Sequence, residues 1–313
     1  MRWIRGSGSS RRCLRDNGWD KNMSTESVAS WVRANRRIRR ILMPVLVARR
    51  RFLLPFEKRR EQMLSRVVDG NVVFHLDEFG GDYEIEVCSD IARRIILLGE
   101  YEASLAACCA ELIDPRRDAI DVGANVGLFS GLMASLLDED RRVLSIEPAY
   151  EAYNMLRSNL KRNGLDDRVT ALQMVASDRE GDHTMNVCRG KGEYSSIGPV
   201  VHEAARGIAV ESRLVPWSTI DALCDAYCIE PGFIKMDVEG YEHRVLLGAE
   251  ATIRRHRPIV VAEIHASMLR ACGSDANSVV SWFRRMDYRV LNADCPFFEA
   301  NEGFQGELLA LPR

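Results

Sequence analysis

The sequence has nine cysteines but no CxxC pair. They stand at 13, 88, 108, 109, 188, 224, 228, 272 and 295, an odd number scattered through 313 residues, too long a chain for a disulfide scaffold. Reduced thiols in a cytoplasmic protein are the expectation, most of them serving as small buried hydrophobes. Long apolar runs are missing as well. "ILMPVLVA" at 41–48 is far short of a bilayer span and contains Pro44. The opening "MRWIRGSGSSRRCLRDNGWDKN" has no apolar core of a secretory signal. Met23 opens "MSTESVAS" and reads as the natural start, which would make the first 22 residues an upstream extension. The six histidines show no zinc spacing. No internal repeat or low-complexity segment is present.

Charge is present in both signs, but it is segregated. Residues 1–66 carry 18 Lys/Arg and 5 Asp/Glu, whereas the whole chain carries 43 and 45. A basic arm therefore precedes an acidic body. In the arm, Trp31, Val32, Ile38, Ile41, Leu42, Val45 and Leu46 sit among arginines, a spacing that predicts amphipathic helices broken at Pro44 and Pro55. A solvated helical prefix, partly disordered, is the plain expectation for 1–68. Contact with a membrane surface, giving a peripheral location, is the sharper alternative. Nucleic acid is not the expected partner, because no aromatic-interleaved motif accompanies the arginines.

From residue 69 to 313 the pattern is that of one α/β domain. "NVVFHLDEFGGDYEIEV" at 71–87 predicts two strands around a Gly-Gly turn, followed by a helix over 102–112. Strands are then predicted at 118–122, 142–146, 169–175, 232–237, 258–264, 287–292 and 307–311. Helices are predicted at 127–137, 149–163, 218–227, 242–255 and 276–286. This alternation implies a mostly parallel sheet covered on both faces. The pieces 182–188 and 208–215 read as an added hairpin.

"DAIDVGANVGLFSG" at 118–131 puts Gly123 and Gly127 after a strand. Gly123 allows a sharp turn, and Gly127 lets the next helix start close to the sheet, so that cofactor atoms can approach the backbone. The spacing is Gly-x-x-x-Gly, without the triple-glycine dinucleotide fingerprint or the lysine of a phosphate-gripping loop. Asp121 at the strand's end repels phosphate and attracts a sulfonium or ammonium centre. Glu147 ends the next strand, where an acid accepts ribose hydroxyls. Together they fit S-adenosylmethionine. Past the third strand, Ser177 and Asp178 in "ASDREGD" are candidates for the adenine edge.

A second cluster, "FIKMDVEGYEHRVLLGA" at 233–249, holds Lys235, Asp237, Glu239 and Glu242 at the end of the fourth core strand. Asp237 and Glu239 are expected to face the transferred methyl or its acceptor. Close carboxylates raise one another's pKa and supply a general base, or they could hold a divalent cation such as Mg. Glu242 could instead favour the N-terminus of the following helix. In "VVAEIHAS", Glu263 and His265 flank Ile264 and can share one face, which makes His265 a further base candidate.

At "GEYE" (99–102), "IDVGANVGLFS" (120–130), "IEP" (146–148), "ASDREGD" (176–182), "STIDAL" (218–223), "IKMDVEGYEHRVLLGA" (234–249) and "VVAEIH" (260–265), the chain resembles the FkbM-type family of S-adenosylmethionine-dependent methyltransferases. The resemblance implies a class I methyltransferase (Rossmann-like) fold: a seven-stranded sheet with its last strand antiparallel. It also implies methyl transfer to a hydroxyl, commonly on sugars, polyketides or lipid-linked glycans. By match of position, Asp121, Gly123, Asn125, Gly127 and Glu147 would hold the cofactor, with Glu102 near it. The alternatives are N- or C-methylation, against which "MDVEGY" stands in place of a Pro-Pro-aromatic motif, and a non-catalytic S-adenosylmethionine-binding partner protein. The loop 188–207 is expected to shape the acceptor pocket.

Overall fold

The computed structural model describes residues 70–188, 210–293, 295–301 and 303–313. The arm over 1–68, for which helices are predicted, lies outside the described residues, as does nearly all of the loop 188–207.

A hairpin of β1 (Asn71–Leu76) and β2 (Gly81–Glu86) comes first, as the Gly-Gly turn predicts. Two helices follow, α1 (Asp90–Leu98) and α2 (Ala103–Leu112). Helix α1 has no counterpart among the predicted elements, although its signals are present. The Ser89 side chain accepts the Ala92 N–H at 3.1 Å, and Gly99 closes the last turn.

The α/β alternation then runs β3 (Asp118–Val122), α3 (Leu128–Leu136), β4 (Val143–Ile146), α4 (Tyr150–Arg162) and β5 (Val169–Leu172). An inserted three-stranded sheet of β6 (Val175–Ala176), β7 (Gly181–Cys188) and β8 (Val210–Ser218) contains the expected hairpin. Next come α5 (Ile220–Tyr227), β9 (Pro231–Met236), α6 (Glu242–Leu247), α7 (Glu250–His256) and β10 (Ile259–Ile264). The chain ends with α8 (Ala266–Ala271), α9 (Ala276–Arg285), β11 (Tyr288–Asn292), β12 (Cys295–Glu299) and β13 (Gly306–Pro312). Two predicted elements are split. The strand expected at 169–175 changes sheets after Leu172. The helix expected at 242–255 breaks at Gly248, where a Cβ would fall under 3.0 Å from the Ser177 carbonyl oxygen.

The main sheet has the order β12-β11-β13-β10-β9-β3-β4-β5. The five strands from β10 to β5 are parallel, and β13 runs antiparallel between β10 and β11. This is the seven-stranded class I methyltransferase sheet, with β12 added as an edge strand. The chain winds outward from β3 to β5 and then returns to β9 on the other side of β3. A crevice opens at that reversal, beyond the carboxyl ends of the strands.

Both faces are packed. Ile120, Val122, Ile234, Met236 and Val260 form one core with α5, α6, α7 and α9. Ala119, Phe233 and Val261 form the other with the hairpin, α1, α2, α3 and α4. Side chains alternate along a strand, so Asp121 and Lys235 point into the second layer. The register places these two residues side by side on β3 and β9.

Candidate active site

The strand β3 ends at Val122 and the chain turns at once, with positive φ at Gly123 (78°), Asn125 (49°) and Gly127 (91°). A Cβ at Gly123 would fall under 3.0 Å from the Asp237 carbonyl oxygen, and one at Gly127 would fall 2.6 Å from Leu156 Cδ1. The close approach expected for a ligand at Gly123 is therefore taken by the backbone of Asp237. At Gly127 it seats α3 against α4. Glycine at 123 brings the loop after β3 into contact with the end of β9, which sets Asp237 beside it.

Glu147 ties the next strand into the same loop. One of its carboxylate oxygens, Oε2, accepts the Asn125 N–H at 2.9 Å, and Oε1 accepts the Ala149 N–H at 2.8 Å. Burial pushes its pKa up to about 7, against the pull of these two donors. Asp121 lies beneath the loop and is 0% exposed. It accepts the Ser130 hydroxyl at 2.6 Å, while its Oδ1 has no partner among the described residues. Burial raises its pKa, and the neighbouring Lys235 opposes that rise.

Lys235 is 4% exposed. Its ammonium stands 3.6 Å from Asp237 Oδ2 and 4.7 Å from the centre of the Phe129 ring. Burial works against its charge, but Asp237, Asp121 and Glu102 outweigh burial and hold it above an ordinary lysine. The Asp121 charge is thus offset from the next strand. Positive charge on a ligand meets Glu102 and Asp237 instead, because these acids line the cavity.

Two adjoining spaces open at the switch point. The smaller is walled by Tyr101, Glu102, residues 123–126, Phe129, Lys235 and Asp237. The larger is an open cleft of ≈ 290 Å³, lined by Arg93, Arg94, Glu102, Asn125, Asp237, Glu239, Glu242, Glu263 and His265. Glu102, Asn125 and Asp237 belong to both. Glu102 reaches them from a left-handed position that starts α2, and its carboxylate meets Arg94 Nη1 at 3.2 Å. Burial raises the Glu102 pKa, while Lys235 and Arg94 restrain it.

Glu263 and His265 both line the cleft, as their alternation predicts. The Asp237 carboxylate beside Glu263 raises the Glu263 pKa, with burial and Glu307 adding to it. His265 Nδ1 lies 3.0 Å from the Ser267 hydroxyl. Glu242 is 1% exposed. Its Oε1 accepts the Val238 and Gly240 N–H groups at 3.3 and 3.1 Å. It therefore braces the turn before α6 and also faces the cleft.

The structure thus gathers Glu102, Asn125, Asp237, Glu239 and His265 in one cleft. Gly123 joins them in the smaller space, while Asp121, Gly127 and Glu147 support the loop from behind. Ser177 and Asp178 line neither space. The Ser177 hydroxyl donates to Asp178 Oδ1 at 3.0 Å, and Asp178 pairs with Arg244 at 2.6 Å and Arg179 at 3.2 Å. Burial would raise the Asp178 pKa, but these bonds, led by Arg244, hold it below the usual carboxylate range. Arg94, Lys235, Glu242 and Glu263 complete the site. The Lys235-x-Asp237 and Glu263-x-His265 spacings carry that signal for two of them. Among the described residues no group of three or more His, Cys, Asp or Glu side chains is arranged to hold a metal ion.

The residues present fit a sulfonium nucleoside: a tight loop of positive-φ backbone, an acid at the tip of the adjacent strand, an unpartnered buried carboxylate oxygen beneath, and carboxylates facing the space. Fold and site together define an S-adenosylmethionine-dependent class I methyltransferase. The methyltransferase FkbM domain family matches residues 121–290, and the chain belongs to that family. A protein-L-isoaspartate O-methyltransferase of Methanopyrus kandleri is 36% identical over 70 residues, which cover 22% of this chain. The match spans 31% of that relative's own length. Among solved structures, the FkbM methyltransferase of Methylobacillus flagellatus KT is similar, with TM-score 0.42, 20% identity, and coverage of 70% of this chain and 52% of that one. So is an O-methyltransferase from Bacillus cereus in complex with SAH, with TM-score 0.35, 15% identity, and coverage of 71% and 96%.

Proposed function

We propose that the protein transfers a methyl group to the hydroxyl oxygen of a small molecule, sugar or lipid-linked glycan. The observation that carries this reading is the position of Asp237, which lines both the loop-side space and the open cleft. Its carboxylate stands between the cofactor loop and the place where an acceptor enters. S-adenosylmethionine, when bound, supplies a methyl already activated on sulfur. The loop, braced by Glu147, and Glu102 hold and orient it, and their placement at the switch point favours in-line alignment with an acceptor in the cleft.

A hydroxyl must lose its proton as its oxygen gains the methyl, whereas a neutral amine attacks through a free lone pair. A site with several proton acceptors beside the acceptor space therefore suits oxygen. Asp237 takes that proton as general base, with Glu239 and His265 beside it. The Nε2 of His265 is a base in the tautomer whose Nδ1–H donates to Ser267. The buried Lys235 ammonium, 3.6 Å away, is the ion-pair partner of Asp237. The cytoplasmic setting and a peripheral contact through the basic arm belong to the same proposal; no helix among the described residues is long and apolar enough to cross a membrane.

Labelled S-adenosylmethionine incubated with fractionated glycan, lipid and small-molecule extracts, with and without Mg, tests the reading through the atom methylated. Asp237→Asn is expected to lose about 10²- to 10⁴-fold in turnover at saturating cofactor. Full turnover in both Asp237→Asn and His265→Ala would remove the chemistry from these positions.

A further inference from the structure

The walls of the larger cleft are unequal in charge. They hold six carboxyl groups, counting Asp90 and Glu102, against the two guanidinium groups of Arg93 and Arg94. Both arginines pair with Asp90, and Arg94 also pairs with Glu102. The remaining acids of the lining are Asp237, Glu239, Glu242 and Glu263. The buried Lys235 offsets Asp237, and its neighbours hold the proton on Glu263, so the surplus rests on Glu239 and Glu242; a sulfonium amino acid adds one net positive charge and leaves part of it.

Within that lining Glu242 is set apart. It is 1% exposed, and Oε1 is held by two backbone N–H groups, while Oε2 is buried with no partner among the described residues. A buried acceptor oxygen without a donor is unfavourable, and more so when charged. The carboxylate is braced from behind by its own turn, so it cannot swing away to find solvent. Glu242 lines the cleft but not the loop-side space, which places it toward the acceptor. The ligand group that satisfies it must donate hydrogen bonds, and in this surplus of carboxylates a positive donor is favoured over a neutral one. An anionic group would meet like charge from Glu239 and Glu242.

We propose that the cleft selects an acceptor bearing an ammonium group near its reacting hydroxyl, and that the Glu242 carboxylate receives that ammonium. The inference rests on the O-methyl reading for the hydroxyl and adds the class of acceptor. Three ring probes of one shape test it: trans-4-aminocyclohexanol, cyclohexane-1,4-diol and 4-hydroxycyclohexanecarboxylate. Their affinities are measured by calorimetry with S-adenosylhomocysteine present, at about pH 8, where an amine of ordinary pKa about 10 is charged.

The amino alcohol is expected to bind at least about tenfold more tightly than the diol, and the carboxylate least well, since one such charge contact is worth about 1.4 kcal/mol or more. Glu242→Gln keeps an oxygen for the Val238 and Gly240 N–H groups. It is expected to lower affinity for the amino alcohol about tenfold and to leave the diol and S-adenosylhomocysteine unchanged. Equal binding of amino alcohol and diol, a preference that survives in Glu242→Gln, or no binding of any probe would overturn the proposal. So would a parallel loss of S-adenosylhomocysteine affinity, which would put Glu242 on the cofactor. The atom that carries the label separately reads the O-methyl proposal. Methyl on nitrogen would sink that proposal and leave the ammonium subsite standing.

Discussion

Gly123 is the position where a single methyl group should do most harm. Replacing it with alanine has two consequences. The residue would hold φ of 78°, in the left-handed region, which disfavours an L side chain by about 1–2 kcal/mol. The new Cβ would also fall under 3.0 Å from the Asp237 carbonyl oxygen. That oxygen belongs to backbone at the end of β9, whose Asp237 N–H donates to the Val122 carbonyl at 2.9 Å, so it cannot turn aside as a side chain would. Forcing strand ends apart in a packed region adds about 1–3 kcal/mol. Gly164 supplies the control. Its φ is 66°, and a Cβ there would meet nothing within 4 Å, so alanine would incur the backbone strain alone. Urea unfolding of both variants should therefore give losses of about 2–5 kcal/mol for Gly123→Ala and about 1–2 kcal/mol for Gly164→Ala. Cofactor affinity should fall only in the first, since Asp237 is displaced with the loop. Equal destabilisation of the two variants would show that the contact with Asp237 is not what demands glycine, and the reasoning would fail.

Other expectations follow from the same geometry. Lys235→Met leaves the acids around it without their buried cation and should destabilise the protein by about 3–5 kcal/mol in urea unfolding, with Lys235→Met/Asp121→Asn recovering part of the loss. The Glu242 carboxyl has its pKa pushed by burial up to about 7, from 4.5. The folded form thus binds more protons than the unfolded one between those values, so as pH rises from about 4.5 to about 7 Glu242 should by itself remove about 3 kcal/mol of stability from the ligand-free protein, and Glu147, raised over the same range, should add its own share. Unfolding free energies measured across that range should lose the Glu242 share of this slope in Glu242→Gln. Glu147→Ala strips the acceptor from the Asn125 and Ala149 N–H groups and should weaken S-adenosylmethionine binding at least about tenfold by calorimetry, one lost hydrogen bond to a charged group being worth about 1.5–3 kcal/mol. Asp121→Ala with undiminished cofactor affinity would count against a binding role for that carboxylate.

The alternation of short apolar strands with amphipathic helices was enough to read the parallel sheet, because periodicity is a local property of the chain. Asp121, Glu147, Asp237 and His265 were legible for a related reason: each sits at a strand's carboxyl end, and in an open α/β sheet those ends converge. Helix α1 escaped, although Ser89 and Gly99 mark its ends, and with it went Arg93 and Arg94. Lys235 and Glu242 were visible as members of the second cluster, but not in their particular roles, since these depend on neighbours far along the chain.

By itself, then, the sequence determined the class I sheet with the order of its core strands, and it marked the glycine loop and the acids at the strand ends as candidates. Only the tertiary structure decided what the glycine of that loop touches, which carboxylates face the cleft, and which are neutralised behind it. Gly123 meets the Asp237 backbone, Asp121 is offset by Lys235 across the β3–β9 register, and Asp178 is engaged by Arg244. These are through-space relations between residues tens of positions apart. Charge, burial and hydrogen-bond partner are set by what the fold brings together, and no local pattern in the chain encodes them.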